Sequence, residues 1–87
     1  MKKIFSNQGW EDYLYWHSLN DKRIIKKIHK LLEDIDRNGY EGIGKPEPLK
    51  YDWSGWWSRR ITDEHRLVYK IENDSILFAS ARYHYEK

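Results

Sequence analysis

The residues of this chain best suited to chemistry are one carboxylate held between two prolines and two arginines placed to face each other across a hairpin. Glu47 stands in Pro46-Glu47-Pro48. Both proline rings stiffen the local backbone, and the residue before Pro48 is held extended. A carboxylate on so rigid a segment suits catalysis, because fixing a group in place supplies much of a rate enhancement. A surface turn would carry the same acid, and the spacing alone does not decide between the two. The arginines are Arg60 and Arg66. If the connection between their strands is Thr62 to Glu64, Arg60 faces Arg66 and Arg59 faces Leu67. That register gathers Trp57, Ile61, Leu67, Tyr69 and Ile71 on one side and turns Arg60, Arg66, Val68 and Lys70 to the other. A two-residue loop would instead mix Ile61 with Arg66, which fits the pattern poorly. Two guanidinium groups side by side repel unless an anion lies between them, and a phosphate matches their forked donors.

The last segment, Arg82-Tyr83-His84-Tyr85, brings an imidazole and two phenols. Its register is open. A two-residue Asn73-Asp74 turn puts Tyr83 and Tyr85 on the arginine side, a three-residue turn puts Arg82 and His84 there, and the end can also leave the sheet. The chain has no cysteine, so no thiolate serves as nucleophile or ligand. Its four histidines are scattered, without a His-x-x-x-His pair or a carboxylate cluster, so neither a metal nor another cofactor is expected.

These groups need elements to hold them. Met1 to Phe5 reads as a strand and Ser6 as the N-cap of a helix, whose Trp10, Tyr13, Leu14 and His17 fall on one face. Asn20 or Asp21 caps a second helix with an unbroken apolar stripe of Ile24, Ile25, Ile28, Leu31, Leu32 and Ile35. Its other face carries Lys22, Arg23, Lys26, Lys27 and Lys30, a pattern usual for a solvated surface. Asn38-Gly39 ends it. From Gly39 to Asp52 the periodicity stops, and a loop of that length in a small domain is usually functional or disordered. Strands are expected at Trp56 to Ile61, Arg66 to Ile71 and Ser75 to Tyr83. The order β-α-α-β-β-β implies an α+β fold: a compact antiparallel sheet with both helices packed on one face and the other face open.

Residues 1–87 form a single domain. A chain this short hides only about 60–65 % of its unfolded surface. Its five Trp, seven Tyr and two Phe answer that with large side chains, so most of them belong to the core. A net charge of +2 is too balanced for a protein that coats nucleic acid by charge alone, so any nucleic-acid site is compact and local. No apolar run approaches membrane-spanning length, and no signal-peptide core follows Met1-Lys2-Lys3, so a cytoplasmic protein with no membrane partner is expected.

Read in order, Lys45-Pro46-Glu47-Pro48-Leu49-Lys50, Ser54-Gly55, Trp57-Ser58-Arg59-Arg60-Ile61, Glu64-His65-Arg66-Leu67-Val68-Tyr69 and Arg82-Tyr83-His84-Tyr85 resemble the YoeB (Txe) toxins of the RelE/ParE superfamily. Asp12-Tyr13-Leu14-Tyr15-Trp16 and Asp21-Lys22-Arg23-Ile24 extend the resemblance through both helices. It implies a toxin of a type II toxin–antitoxin system that enters the ribosomal A site and cuts messenger RNA there. Carried over by position, it makes Glu47 the general base, Arg66 the phosphate-stabilising arginine, His84 the general acid and Tyr85 the tyrosine beside it. Lys50 and Arg60 become further positive groups of the site, with Arg59 and Lys45 beside them as RNA-binding positions. It also implies a YefM-like antitoxin as partner, and a homodimer is compatible with it. The family pattern ends at the His-Tyr pair, whereas Glu86 and Lys87 follow here. The chemistry agrees with the residues: RNA supplies its own nucleophile, so the protein needs a base, an anion-stabilising group and an acid. ParE-type members of the superfamily inhibit DNA gyrase without cleaving anything, and that is the alternative.

Overall fold

Helix boundaries fall where the capping residues stand. In the computed structural model, which describes residues 1–83, Ser6 Oγ accepts the Gly9 N–H and Asp21 Oδ1 accepts the Ile24 N–H. These open α1 (Asn7–Ser18) and α2 (Lys22–Asn38), which follow β1 (Lys2–Phe5). Gly39, at φ 69°, closes α2. Then come β2 (Glu47–Pro48), a 3-10 turn (Tyr51–Trp53), β3 (Trp57–Arg60), β4 (Arg66–Glu72) and β5 (Ser75–Ser80).

The five strands form one sheet in the order β1-β5-β4-β3-β2. Two features differ from the expected sheet. First, it is mixed: β2, β3, β4 and β5 are an antiparallel meander, but β1 runs parallel to β5, from Lys2 opposite Ser75 to Phe5 opposite Phe78. Hairpin signals reach only neighbouring strands, and β1 is joined to the rest through two helices, so its direction is a tertiary matter. Second, the long loop contains a strand. Glu47 pairs with Ser58 and Pro48 with Trp57 at the sheet edge, where prolines are tolerated because the outer ladder positions need no donor.

The stripe on α2 buries Ile28, Leu31, Leu32 and Ile35 against Leu67, Tyr69, Ile76 and Phe78 of the sheet. On α1 the buried face is not Trp10, Tyr13, Leu14 and His17 but Gly9, Asp12 and Trp16. Trp10 and Leu14 stay nearly half exposed. Gly9 lies so close to β5 that a β-carbon would collide with the Phe78 carbonyl oxygen. Asp12 and Trp16 grip Ala81, whose N–H donates to Asp12 Oδ2 at 2.8 Å and whose carbonyl accepts Trp16 Nε1–H at 2.9 Å. Helix α1 therefore docks by close backbone approach and buried hydrogen bonds as much as by apolar area.

Arg59 is the largest fully buried side chain of the described residues. Each of its five N–H donors has an oxygen in reach: Nε the Tyr69 hydroxyl, Nη1 Asp34 Oδ2 and the Ile43 carbonyl, Nη2 the Gly39 and Glu41 carbonyls. The guanidinium thus gathers the segment after α2 into a ring. Asp34 closes it by accepting the Ile43 N–H as well. Burial pushes the Tyr69 phenol up, while the hydrogen bond from Arg59 pulls the other way.

Candidate active site

Strand alternation decides what reaches the open face. Trp57, Arg59, Leu67 and Tyr69 point towards the helices, so Ser58, Arg60, Arg66, Val68 and Lys70 point away. Glu47 pairs with Ser58, Ser58 with Val68, and Val68 with Ser80, so Glu47 stands at the end of a row of small residues crossing four strands. Ser58, Val68 and Ser80 are buried. By the same alternation Arg60 and Arg66 flank this row on one side and Trp56 and Lys70 on the other. The result is a buried row of small residues across the sheet with a carboxylate at its β2 end.

The arginine pair has the register that the hairpin implied: Arg60 is opposite Arg66 and Arg59 opposite Leu67. Directly paired residues have Cα atoms about 4.5–5.5 Å apart, so the two cations share one space. Arg66 Nη1 donates to the carbonyls of Thr62 and Asp63 at 2.9 and 3.0 Å, which pins the side chain to its own hairpin. Desolvation and then the neighbouring Arg60 hold its guanidinium below its usual range, opposed by Asp63 and by Glu47. The pull of Glu47 on Arg66 places that carboxylate within the same local field. Among the described residues Arg60 makes no side-chain hydrogen bond and Glu47 neither a hydrogen bond nor an ion pair, and both are exposed. An arginine pair and a carboxylate with no partner among the described residues, on one face of the sheet, have the chemistry to bind a phosphate diester and take a proton beside it.

The remaining positions sort differently. Lys45, at φ 52°, and Lys50 are exposed in the chain on either side of β2. Arg59 is not at the face at all. It lies beneath the sheet with every donor used, so it is removed from the RNA-binding set. His84 and Tyr85 lie outside the described residues. In the last strand, Glu72 opposite Ser75 makes the turn two residues long, with Asn73 and Asp74 both at positive φ. A bulge then intervenes: Tyr69 pairs with Phe78 but Val68 with Ser80, which leaves Ala79 as the extra residue. Beyond Ser80 the chain leaves the ladder.

Two features of the face were missed by sequence reasoning. Lys70 Nζ lies 5.6 Å over the Trp56 ring, and Trp53 meets that ring edge-on. Extending the alternation from Trp57 back to Trp56 would have found the first. Ser80 Oγ is buried without a hydrogen-bond partner among the described residues, and only the bulge brings it to this face.

A family profile described as "YoeB-like toxin of bacterial type II toxin-antitoxin system" matches residues 5–85. "Toxin YoeB" of Escherichia coli is 60% identical over 85 residues, covering 98% of this chain and 100% of that protein. Among solved structures, a YoeB–YefM complex from Staphylococcus aureus superposes with a TM-score of 0.89 at 52% identity, covering 98% of both chains. A YoeB dimer from the same organism gives 0.90 at 53% identity with the same coverage. With most of its length matched by the profile and a whole-length relative at 60% identity, the chain belongs to the family of YoeB-like toxins of bacterial type II toxin–antitoxin systems.

Proposed function

We propose that this protein is a ribosome-dependent endoribonuclease, an mRNA interferase that cuts messenger RNA in the ribosomal A site and so stops translation. The observation that carries the reading is the common face of Glu47 and the Arg60–Arg66 pair. Glu47 takes the proton of the 2′-hydroxyl next to the scissile phosphate. The 2′-oxygen attacks phosphorus, and charge grows on the phosphorane oxygens in front of Arg60 and Arg66. The 5′-oxygen leaves with a proton from His84, with Tyr85 beside it. The products are a 2′,3′-cyclic phosphate and a 5′-hydroxyl. Lys45 and Lys50 hold flanking phosphates. Because RNA brings the nucleophile, the protein supplies only proton transfer and charge, and no metal or other cofactor enters the reaction.

The Staphylococcus aureus relatives form a complex with YefM and a dimer. By analogy this toxin is silenced in the cytoplasm by a YefM-like antitoxin, whose binding segment is acidic and folds onto the basic and aromatic surface, and it pairs with a second copy of itself.

Incubation with translating ribosomes and a defined messenger, followed by primer extension and analysis of the new ends, tests the reading. Wild-type protein should give 2′,3′-cyclic phosphate and 5′-hydroxyl ends. Glu47→Ala and His84→Ala should each cut about 10²–10⁴-fold more slowly with an unchanged thermal midpoint. Wild-type turnover by Glu47→Ala would show that the base is misassigned. Inhibition of gyrase with intact messenger would replace the whole reading by that of a non-catalytic inhibitor.

A further inference from the structure

The segment that leaves β5 is tied down on alternate residues. Ala79 accepts Ser6 Oγ–H through its carbonyl at 2.9 Å. Ala81 is held at both backbone groups by Asp12 and Trp16. Tyr83 is held at both as well: its N–H donates to His65 Nδ1 at 2.8 Å, and its carbonyl accepts the Arg66 N–H at 3.1 Å.

The imidazole of His65 is built for that bond. Its ring meets Trp16 edge-on at 4.8 Å and lies 5.2 Å from the Tyr83 ring. Its side chain is only 13% exposed. Its own carbonyl accepts the Ile61 and Thr62 N–H groups, so the residue is fixed by its backbone too. An Nδ1 that accepts a hydrogen bond carries no proton, which puts the ring hydrogen on Nε2. Nε2 faces Glu64 Oε1 at 3.7 Å, a placement that favours this tautomer.

We propose that His65 is a positioning residue for the reaction. By holding the Tyr83 N–H while its neighbour Arg66 holds the Tyr83 carbonyl, it anchors the peptide that leads to His84 against the strand end that carries the phosphate-binding arginine. The proposal rests on the reading of His84 as general acid. Trp16 ties the anchor to α1, so Asp12, Trp16 and His65 together hold the chain from Ala81 to Tyr83 in place. A surface histidine that merely packs would not need a lone pair aimed at a backbone N–H. The effect of losing it is large, because displacing a reacting group by about 1 Å can cost about 10²-fold in rate.

The test compares wild type, His65→Ala, His65→Asn and His65→Gln in the full chain on ribosome-bound messenger. The Asn side-chain oxygen reproduces the position of Nδ1, whereas that of Gln falls near Nε2. His65→Ala and His65→Gln should lower kcat about 10²-fold with KM and thermal midpoint close to wild type, and His65→Asn should recover most of the loss. In wild-type protein a ¹⁵N–¹⁵N coupling should be seen across the Tyr83 N–H···Nδ1 bond. Equal kcat in wild type and His65→Ala would overturn the proposal, as would an Asn variant no better than the Gln variant. Absence of the coupling would overturn it even if every variant unfolds. If the wild type cuts no RNA, the proposed function falls, and the coupling still reports separately whether the anchor exists.

Discussion

Arg59 and Arg60 are neighbours on β3, and the alternation of a strand sends one guanidinium under the helices and the other to the opposite face. Their expected mutational behaviour is opposite. Arg59→Ala leaves the Asp34 carboxylate and three carbonyls without their donor, and removing one partner of a buried ion pair costs about 3–5 kcal/mol of folding stability. Arg60→Ala removes an exposed side chain, so it should leave stability within about 0.5 kcal/mol while lowering RNA cleavage. Chemical denaturation of both variants checks the contrast. Acid acts on the same pair. The hydrogen bond from Arg59 is the main cause that holds the Asp34 carboxyl below 3.8 in the folded protein. A group whose pKa is depressed by folding stabilises above its unfolded value and loses that contribution as pH falls through the folded one. Wild-type stability should therefore drop below about pH 4, and Asp34→Asn, already weaker at neutral pH, should lose less over that range. An equal acid slope in both would show that Asp34 titrates normally. The burial of Arg59 was legible from the residues alone, since the register that paired it with Leu67 put it on the side of Trp57 and Ile61. The family resemblance grouped it with Arg60 instead, because a motif carries position along the chain and not direction from the strand.

At the scale of elements, sequence reading succeeds where a rule is local and fails where partners are distant. The caps at Ser6 and Asp21, the stop at Gly39 and the Arg60–Arg66 register follow from short-range chemistry. The Glu47–Pro48 strand is invisible from within its own two residues and exists because β3 offers an edge. The bulge at Ala79 depends on how β5 lies between β1 and β4, and no turn residue announces it. Helix α1 shows the same limit, because a search for apolar periodicity passes over Gly9 and Asp12. Gly9 is where that helix is most exacting. Gly9→Ala would improve helix propensity on an exposed helix, but here the new methyl group meets the Phe78 carbonyl. Overpacking of that kind costs about 1–3 kcal/mol. It should also lift Asp12 and Trp16 from Ala81, so cleavage should fall further than the loss of folded protein explains. Thermal unfolding together with activity per folded molecule measures both. A Gly9→Ala variant as stable and active as wild type would show that α1 has room to move.

On the scale of the whole molecule, Glu47 and Arg60 of the proposed site stand exposed on one face of the sheet. A carboxylate is by its chemistry a feeble base for a ribose hydroxyl. This face supplies charge and one carboxylate on a small sheet, which is too little to hold a flexible RNA strand in line for attack. On the proposed function, the ribosome supplies that constraint by fixing the messenger in the A site, with Lys50, Arg60 and the basic residues of α2 proposed to meet the phosphates around it. Cleavage should then depend on the ribosome far more than on the sequence of free RNA. The decisive measurement is the single-turnover cleavage rate of one messenger, naked and ribosome-bound, at the same toxin concentration. Ribosome-bound messenger should be cut faster by at least about 10²-fold, the scale of a positioning effect, at one codon-defined place, and tRNA filling the A site should protect it. Equal rates on naked and bound RNA would contradict the account and leave an ordinary small ribonuclease in its place.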